Sequence, residues 1–201
     1  MYRAILMDLG KVLIDFDFSA GYRALEKLCP HPEAEIRRRV AATDLAVRFE
    51  SGLIEPRDFY AQLRALLDLQ VDYDHFCSIW NSIFSAMLVP ESMIEGLARR
   101  YRMVVVSNTN QIHFEMVQRQ YPVLRHFHHM ALSYRVKAMK PSPEIFLEAV
   151  RLAGCPAGEC FYTDDIPAFT EAARKLGIDA VTFESAAQLS GEMRRRGIAW
   201  E

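Results

Sequence analysis

Residues 7–17 read MDLGKVLIDFD and place an aspartate, Asp8, directly after an apolar run. That run, residues 3–7 (RAILM), predicts a short strand buried on both faces. Asp8 then stands at the C-terminal end of the strand, the edge of an open α/β sheet at which ligands bind. Gly10 permits a tight turn and a close approach of the backbone to a ligand. Taken alone, the stretch is more typical of a simple Asp-x-Gly turn.

The composition is that of an ordinary globular protein. The 201 residues, 51% hydrophobic and 25% charged, suit one domain or a domain with an insert. A formal net charge of −2 gives no overall attraction to nucleic acid or to an anionic membrane, although residues 194–196 form a basic run. We therefore expect a small-molecule partner, no nucleic acid and no membrane, and a monomer or homodimer.

The cysteines and the apolar runs indicate a cytoplasmic protein. Cys29, Cys77, Cys155 and Cys160 lack the paired spacing of a metal site, so we expect reduced thiols. No secretory signal begins the sequence, and no apolar run approaches 18 residues.

From Pro90 onward, strand and helix patterns alternate with short connections. Such alternation predicts an α/β fold, a Rossmann-like parallel sheet covered by helices. The predicted helices span residues 91–100, 111–120, 143–153, 167–176 and 185–196. The predicted strands span residues 103–106, 128–133, 160–162 and 180–183.

Residues 19–84 instead show helical periodicity. The pattern predicts a helical bundle inserted after the first strand. We expect the insert to span residues 17–86 and the core domain to comprise residues 1–16 and 87–201. Two apolar stripes carry this prediction: Phe59, Leu63, Leu66 and Leu67, then Phe76, Ile79, Trp80, Ile83 and Phe84.

Polar groups follow other strand-like segments. Ser107 and Asn108 follow one strand, Lys140 precedes a helix, and Asp164 and Asp165 end another strand. Singly these residues are typical of caps, a surface lysine and a turn. Because parallel strands end at one edge of a sheet, we expect Asp8, Ser107 and Asp164 to lie together.

This cluster suits phosphoryl transfer. An aspartate such as Asp8 can attack phosphorus and form an aspartyl-phosphate. Since both reactants are anionic, a divalent cation must lower their repulsion, and Mg²⁺ prefers oxygen ligands such as Asp8, the Gly10 carbonyl and Asp164. Lys140 would offset phosphoryl charge, and Ser107 with nearby amides would position the phosphoryl oxygens.

The order of these groups resembles the haloacid dehalogenase superfamily. DLGKVLIDFDF, VVVSNTNQIH and MKPSPEIF are similar to its bacterial branch that includes alpha-glucose-1-phosphate phosphatase. The resemblance implies a Rossmann-like core with a helical cap, Mg²⁺ and hydrolysis of a phosphate ester. It assigns the nucleophile to Asp8, the charge-offsetting lysine to Lys140, phosphate contacts to Ser107 and Asn108, and further metal carboxylates to Asp164 and Asp165.

Two positions depart from the family pattern. Phosphatases of this family commonly carry a general-acid aspartate two residues after the nucleophile, where this chain has Gly10. The phosphatase branch tolerates glycine there, and Asp15 or Asp17 either substitutes or serves as a hinge into the cap. After Asp165, apolar residues replace the polar groups that usually support the metal, which weakens the metal prediction. They are Ile166, Ala168 and Phe169.

The hypothesis is a Mg²⁺-dependent phosphatase acting on a small phosphorylated metabolite such as a sugar phosphate. A 2-haloacid dehalogenase, in which Asp8 attacks carbon without a metal, stays open, as does a catalytically weakened binding or regulatory module. A response-regulator receiver fits less well, because its acidic pair precedes the phosphorylated aspartate. His126, His128 and His129 form the one histidine cluster, and surface or loop positions suit them better than a zinc site.

Overall fold

The computed structural model describes residues 1–201. None of its helices is both long enough and apolar enough to cross a membrane. The strands are β1 (Ala4–Met7), β2 (Ile14–Phe16), β3 (Phe84–Met87), β4 (Arg102–Ser107), β5 (His129–Leu132), β6 (Cys160–Asp164) and β7 (Asp179–Thr182). The helices are α1 (Phe18–Glu26), α2 (Glu33–Ala41), α3 (Leu45–Glu50), α4 (Pro56–Leu67), α5 (Tyr73–Asn81), α6 (Glu91–Ala98), α7 (Gln111–Gln120), α8 (Ser133–Val136), α9 (Pro143–Ala153), α10 (Pro167–Lys175) and α11 (Ala186–Arg195).

Five strands form one parallel sheet in the order β5-β4-β1-β6-β7. Successive side chains of β1 point to opposite faces: Ile5 and Met7 join an apolar cluster with α6, α7 and α11, whereas Ala4 and Leu6 pack with α9 and α10. Because both faces are covered, β1 is apolar throughout and β4 is apolar between Arg102 and Ser107. The predicted α/β sheet covered by helices is confirmed.

The sheet register brings the strand ends together. Met7 lies opposite Val105 of β4 and Thr163 of β6. Asp8 continues this pairing, because its backbone N–H donates to the carbonyl of Thr163 at 3.0 Å. The residues that follow β1, β4 and β6 therefore meet at one edge of the sheet.

Helices α1 to α5 lie between the first strand and the rest of the sheet, and they bury an apolar cluster of their own. The rings of Phe49 and Phe59 stack there with centroids 4.2 Å apart. Leu63 and Leu67 are fully buried, as their stripe predicts, and Leu66 is half-buried. Pro56 opens α4 in its first turn, and Asp68 ends it in a left-handed conformation with φ 52°.

The second apolar stripe was predicted to be helical through Phe84, and this prediction is wrong at its end. Helix α5 stops at Asn81, and Phe84 begins β3. β3 pairs antiparallel with β2, with Phe16 opposite Phe84 and Ile14 opposite Met87. This pairing joins segments about 70 residues apart, so tertiary contacts override the local helical pattern. The resulting ribbon connects the helices α1 to α5 with the sheet.

Candidate active site

The ammonium group of Lys140 lies between two buried carboxylates at the sheet edge. Its Nζ is 2.8 Å from Asp8 Oδ1 and 2.6 Å from Asp164 Oδ2. Lys140 is only 4% exposed and Asp164 is fully buried. A buried ion pair needs such close geometry, since desolvation opposes it strongly. The three residues that the sequence argument assigned to different motifs thus form one charged cluster.

Burial and neighbouring charges determine the ionisation of this cluster. Burial raises the pKa of Asp8 to about 7; the Asp164 carboxylate adds to the increase, and the Lys140 ammonium opposes it. For Lys140, burial lowers the pKa, but the two carboxylates outweigh burial and leave it above its usual value. Lys140 therefore remains a cation at neutral pH.

Asn108 holds the backbone of Lys140. Its side-chain oxygen accepts from the Lys140 N–H at 2.7 Å, and its amide nitrogen donates to the Lys140 carbonyl at 3.0 Å. From the sequence, we expected Asn108 to contact phosphate. In the structure its side chain is engaged with the lysine, so the Asn108 backbone is the part left for a ligand.

Asp164 is fixed by groups on both sides. The Tyr162 hydroxyl donates to Asp164 Oδ2, and the Ile166 backbone N–H donates to Oδ1 at 2.9 Å. The ring of Phe169 lies 5.2 Å from the Lys140 ammonium, within cation–π range. Ile166 and Phe169, which lack the polar side chains expected there, thus support the cluster through a backbone amide and an aromatic face.

Tyr162 was not predicted as a site residue. Side chains two apart on a strand share a face, so the position of Tyr162 relative to Asp164 on β6 was a signal that could have found it.

Three carboxylates form a candidate metal centre. Asp8, Asp164 and Asp165 each place an oxygen within 4.8 Å of the others. Such an all-oxygen donor set suits Mg²⁺. Burial, and then the charge of Asp164, raises the pKa of Asp165. A cation would relieve this repulsion, so these residues fit a magnesium ion.

Ser107 ends β4 beside this cluster and is 3% exposed. Its hydroxyl has only a long contact, 3.5 Å, with the Asn108 carbonyl. Neither Ser107 nor Asn108 caps α7, because the Asn110 side chain does so by accepting from the His113 N–H at 3.0 Å. The Ser107 hydroxyl is therefore available for a ligand.

The space beside Gly10 is occupied by an aromatic ring. A Cβ at position 10 would lie 2.5 Å from a ring carbon of Phe16, closer than atoms can pack. Asp15 pairs with Lys11 at 2.6 Å, and Asp17 caps α1 by accepting from the Ser19 N–H at 2.8 Å. Both aspartates are exposed at the side chain and serve local structure.

A small pocket of about 40 Å³ lies between the sheet edge and the helices α1 to α5. One carboxylate in its wall, that of Glu50 at the end of α3, was not predicted, and a single glutamate on a six-residue helix offers no sequence signal. The rest of this wall is largely aromatic and aliphatic, and Ser107, Asn108 and Gly10 line the side of the sheet.

His113, also in this pocket wall, connects the sheet domain with α5. Its Nδ1 accepts from the Asn110 side-chain amide, which leaves Nε2–H to donate to the Trp80 carbonyl at 3.0 Å. Burial lowers the pKa of His113 to about 4, so the imidazole is neutral at physiological pH.

The histidine cluster near β5 has local partners. His126 Nε2 lies 3.2 Å from Glu91 Oε1, and His128 Nδ1 accepts from the Met103 N–H at 3.0 Å. These histidines do not form a group of three metal-ligating side chains; Asp8, Asp164 and Asp165 form the one such group in the chain.

Comparison with known proteins adds four findings. Residues 53–183 match the family model of the haloacid dehalogenase-like hydrolases. A D-ribitol-5-phosphate phosphatase from Bacteroides thetaiotaomicron is 24% identical over 96% of this chain and 97% of its own length. A HAD-family enzyme of the same organism, solved with magnesium and inorganic phosphate, is 28% identical with a TM-score of 0.83, covering 92% of this chain and 96% of that one. A predicted HAD-like hydrolase from Porphyromonas gingivalis, 23% identical over 99% of both chains, shares the fold with a TM-score of 0.85.

Proposed function

We propose that this chain, which belongs to the haloacid dehalogenase-like hydrolases, is a cytoplasmic, Mg²⁺-dependent phosphatase of a small phosphorylated metabolite. One observation carries the proposal: the Lys140 ammonium bridges Asp8 and Asp164, and Asp165 lies close enough to share a cation with both. A phosphate ester and an anionic nucleophile repel each other. The Lys140 ammonium and a metal cation held by the carboxylates would together neutralise this repulsion.

Asp8 is the proposed nucleophile. An oxygen of its carboxylate attacks phosphorus, the bond from phosphorus to the alcohol oxygen breaks, the leaving alkoxide takes a proton from water, and an aspartyl-phosphate forms. Water then attacks the phosphorus of this intermediate, which releases inorganic phosphate and restores the Asp8 carboxylate. The Leu9 N–H donates to Asp8 Oδ1 at 2.7 Å and restricts the orientation of the carboxylate.

Asp8, the Gly10 carbonyl, Asp164 and Asp165 are the proposed ligands of Mg²⁺. A bound Mg²⁺ supplies positive charge to the phosphoryl oxygens and to the nucleophile. The Tyr162 hydroxyl and the Ile166 N–H hold Asp164 in place for this role. Such outer hydrogen bonds orient metal ligands and raise affinity.

Lys140 and Ser107 are the proposed phosphate contacts. Lys140 offsets phosphoryl charge, and Asn108 positions it through two backbone hydrogen bonds. The Ser107 hydroxyl and the backbone amides after β4 hold the phosphoryl oxygens. These groups stand at a strand end that leads into α7, a common location of phosphate sites.

Residues 17–86 are the proposed cap, and residues 1–16 and 87–201 the proposed core domain. The β2–β3 ribbon connects these two parts. A pocket of about 40 Å³ is smaller than a sugar phosphate, so we expect the cap to move away from the core when substrate enters.

The proposed substrate is a phosphorylated sugar alcohol or sugar. The likeness to a D-ribitol-5-phosphate phosphatase puts sugar-alcohol phosphates first. Sugar phosphates such as alpha-glucose 1-phosphate, which the sequence resemblance favours, come second. A dehalogenase is less well supported, because attack on carbon has no use for the carboxylates of Asp164 and Asp165.

The test is phosphate release by wild type and Asp8→Asn from D-ribitol 5-phosphate, alpha-glucose 1-phosphate and an aryl phosphate, with Mg²⁺ and with a chelator. We expect release that needs Mg²⁺ and that Asp8→Asn lowers by at least about 1,000-fold. The aryl ester needs no protonation of its leaving group, so its hydrolysis does not depend on a general acid. Full metal-dependent activity of Asp8→Asn would contradict the mechanism.

A further inference from the structure

The Glu50 side chain has no partner within the protein. Burial raises its pKa to about 7, and no hydrogen-bond donor or cation lies close enough to lower it. A half-buried carboxyl group without a protein partner keeps only part of its hydration, so a hydrogen bond from a ligand is favourable there. Glu50 is half-buried at the wall of the active-site pocket, so a molecule in that pocket can supply the missing partner.

The surroundings of Glu50 single it out as the charged group of the pocket. Phe16, Phe18 and Phe84 contribute aromatic surface, and His113 is neutral. On the opposite side lie Ser107, the last residue of β4, and the residues that follow it, where the phosphate is proposed to bind. A ligand whose phosphoryl group occupies that side therefore presents its first carbon atoms to Glu50 and the aromatic rings.

With the cap docked on the core, Glu50 is held at a defined place relative to the proposed phosphate contacts. The Ser133 hydroxyl donates to the Glu50 carbonyl at 2.6 Å and accepts from the Thr109 N–H at 2.9 Å. One buried side chain thus connects the end of α3 with the loop after β4.

Gly52 brings the same segment close to α8. It has φ +63°, and a Cβ there would lie 2.0 Å from the Tyr134 carbonyl oxygen. Only glycine permits this contact. The end of α3 is therefore docked tightly on the core side of the pocket.

We infer that Glu50 determines specificity by forming a hydrogen bond with a hydroxyl group on the carbon chain of the substrate. The substrate class is then a phosphate ester with a hydroxyl close to the ester, as in a phosphorylated polyol. This inference rests on the proposed function. A single hydroxyl suits the site, because one carboxyl group can accept one hydrogen bond from it. The aromatic rings around Glu50 offer no partners for further polar groups.

The experiment compares Glu50→Ala and Glu50→Gln with the matched control Glu26→Gln, an exposed glutamate on α1. Phosphate release is measured with Mg²⁺ for D-ribitol 5-phosphate, for p-nitrophenyl phosphate, which has no aliphatic hydroxyl, and for phosphoethanolamine. We expect Glu50→Ala to lower kcat/KM for the polyol ester by about 10- to 100-fold, because its hydroxyl loses a hydrogen bond to a carboxyl group. We expect kcat/KM for the aryl ester to stay within about twofold.

Glu50→Gln keeps an acceptor oxygen and should lose less activity toward the polyol ester than Glu50→Ala, whereas Glu26→Gln should match wild type with every ester. Equal losses for the polyol and aryl esters, no loss for either, or a selective loss for phosphoethanolamine would each overturn the assignment. Wild-type hydrolysis of the aryl ester separates the two proposals: if it is absent, the phosphatase assignment itself fails.

Discussion

The two sides of the pocket differ in how far the protein satisfies its own polar groups. On the core side, Lys140 pairs with both Asp8 and Asp164, Asn108 accepts from the Lys140 backbone N–H, and the Tyr162 hydroxyl donates to Asp164. On the side of helices α1 to α5, the Glu50 carboxyl group faces a largely apolar wall without a partner.

This difference matches the two proposed roles, which are action on the phosphoryl group and recognition of the leaving group. Groups that act on the phosphoryl group gain from being held in place before substrate binds, because reorganisation then adds nothing to the barrier. A group that recognises a variable leaving group gains from having no competing partner inside the protein, because each internal hydrogen bond would have to be broken first. Changes on the core side should therefore impair every ester, and changes at Glu50 should impair particular ones.

The largest effect should follow removal of the Lys140 charge, which pairs with both Asp8 and Asp164. In the absence of Mg²⁺, Lys140→Met leaves two buried carboxylates facing each other without a cation. Breaking a buried ion pair by removing one partner lowers the free energy of unfolding by about 3–5 kcal/mol. Loss of a group that stabilises transition-state charge should also lower kcat for all esters by at least about 100-fold. Urea denaturation and phosphate release measure the two effects.

Lys175→Met is the matched control for Lys140→Met. Lys175 is 73% exposed and pairs with Glu171 at 3.4 Å on the surface of α10. Exposed pairs contribute about 1 kcal/mol or less, so this control should resemble wild type in both measurements. Wild-type stability and activity of Lys140→Met would show that the core side does not depend on its internal ion pairs.

A smaller effect is expected where the two sides touch, at Gly10 and Phe16. Gly10→Asp introduces the acid that the family pattern led us to expect at this position, but its Cβ would overlap the Phe16 ring. Overpacking of this kind lowers the free energy of unfolding by about 1–3 kcal/mol. In a Phe16→Ala background the same change should be less destabilising, since the ring is gone. A double-mutant cycle by thermal denaturation measures this coupling.

Gly10→Ala serves as the control for charge, because it adds the Cβ without a carboxylate. It should show the same coupling to Phe16 as Gly10→Asp. Additive effects in both cycles would mean that the ring does not exclude a side chain at position 10, and the absence of an acid there would need another explanation.

These contacts also show what the sequence can predict. The ends of strands β1, β4 and β6 follow from apolar runs alone, so Asp8, Ser107 and Asp164 could be assigned to one edge of the sheet, where they lie. Helix α9 begins and ends as predicted, because Pro143 starts it and Gly154 follows it in a left-handed conformation with φ 67°.

Local sequence patterns could not predict the contacts that side chains make with other segments. The β2–β3 ribbon pairs residues 14–16 with residues 84–87, and neither segment signals the other. The same holds for the bond of Asn108 to Lys140 and for the Phe16 ring beside Gly10. Glu50 enters the pocket only because α3 docks on α8. Apart from Lys140, which lies between α8 and α9, the residues proposed for catalysis therefore come from strand ends, and the residue proposed for specificity depends on how the insert packs on the core.

The smallest effect should come from the Tyr162 hydroxyl, which acts on the core side only through its hydrogen bond to Asp164. Tyr162→Phe removes its hydrogen bond to Asp164 but keeps the edge-to-face packing with Phe146, whose ring centroid is 5.6 Å away. Loss of one such outer bond should weaken Mg²⁺ activation by about tenfold, which a Mg²⁺ titration of phosphate release measures. Tyr60→Phe, which loses a hydroxyl bond to the Val71 carbonyl within the helical insert, should leave the Mg²⁺ requirement unchanged. Equal Mg²⁺ curves for both variants would mean that Asp164 is held in place without Tyr162, by the Lys140 ammonium and the Ile166 N–H alone.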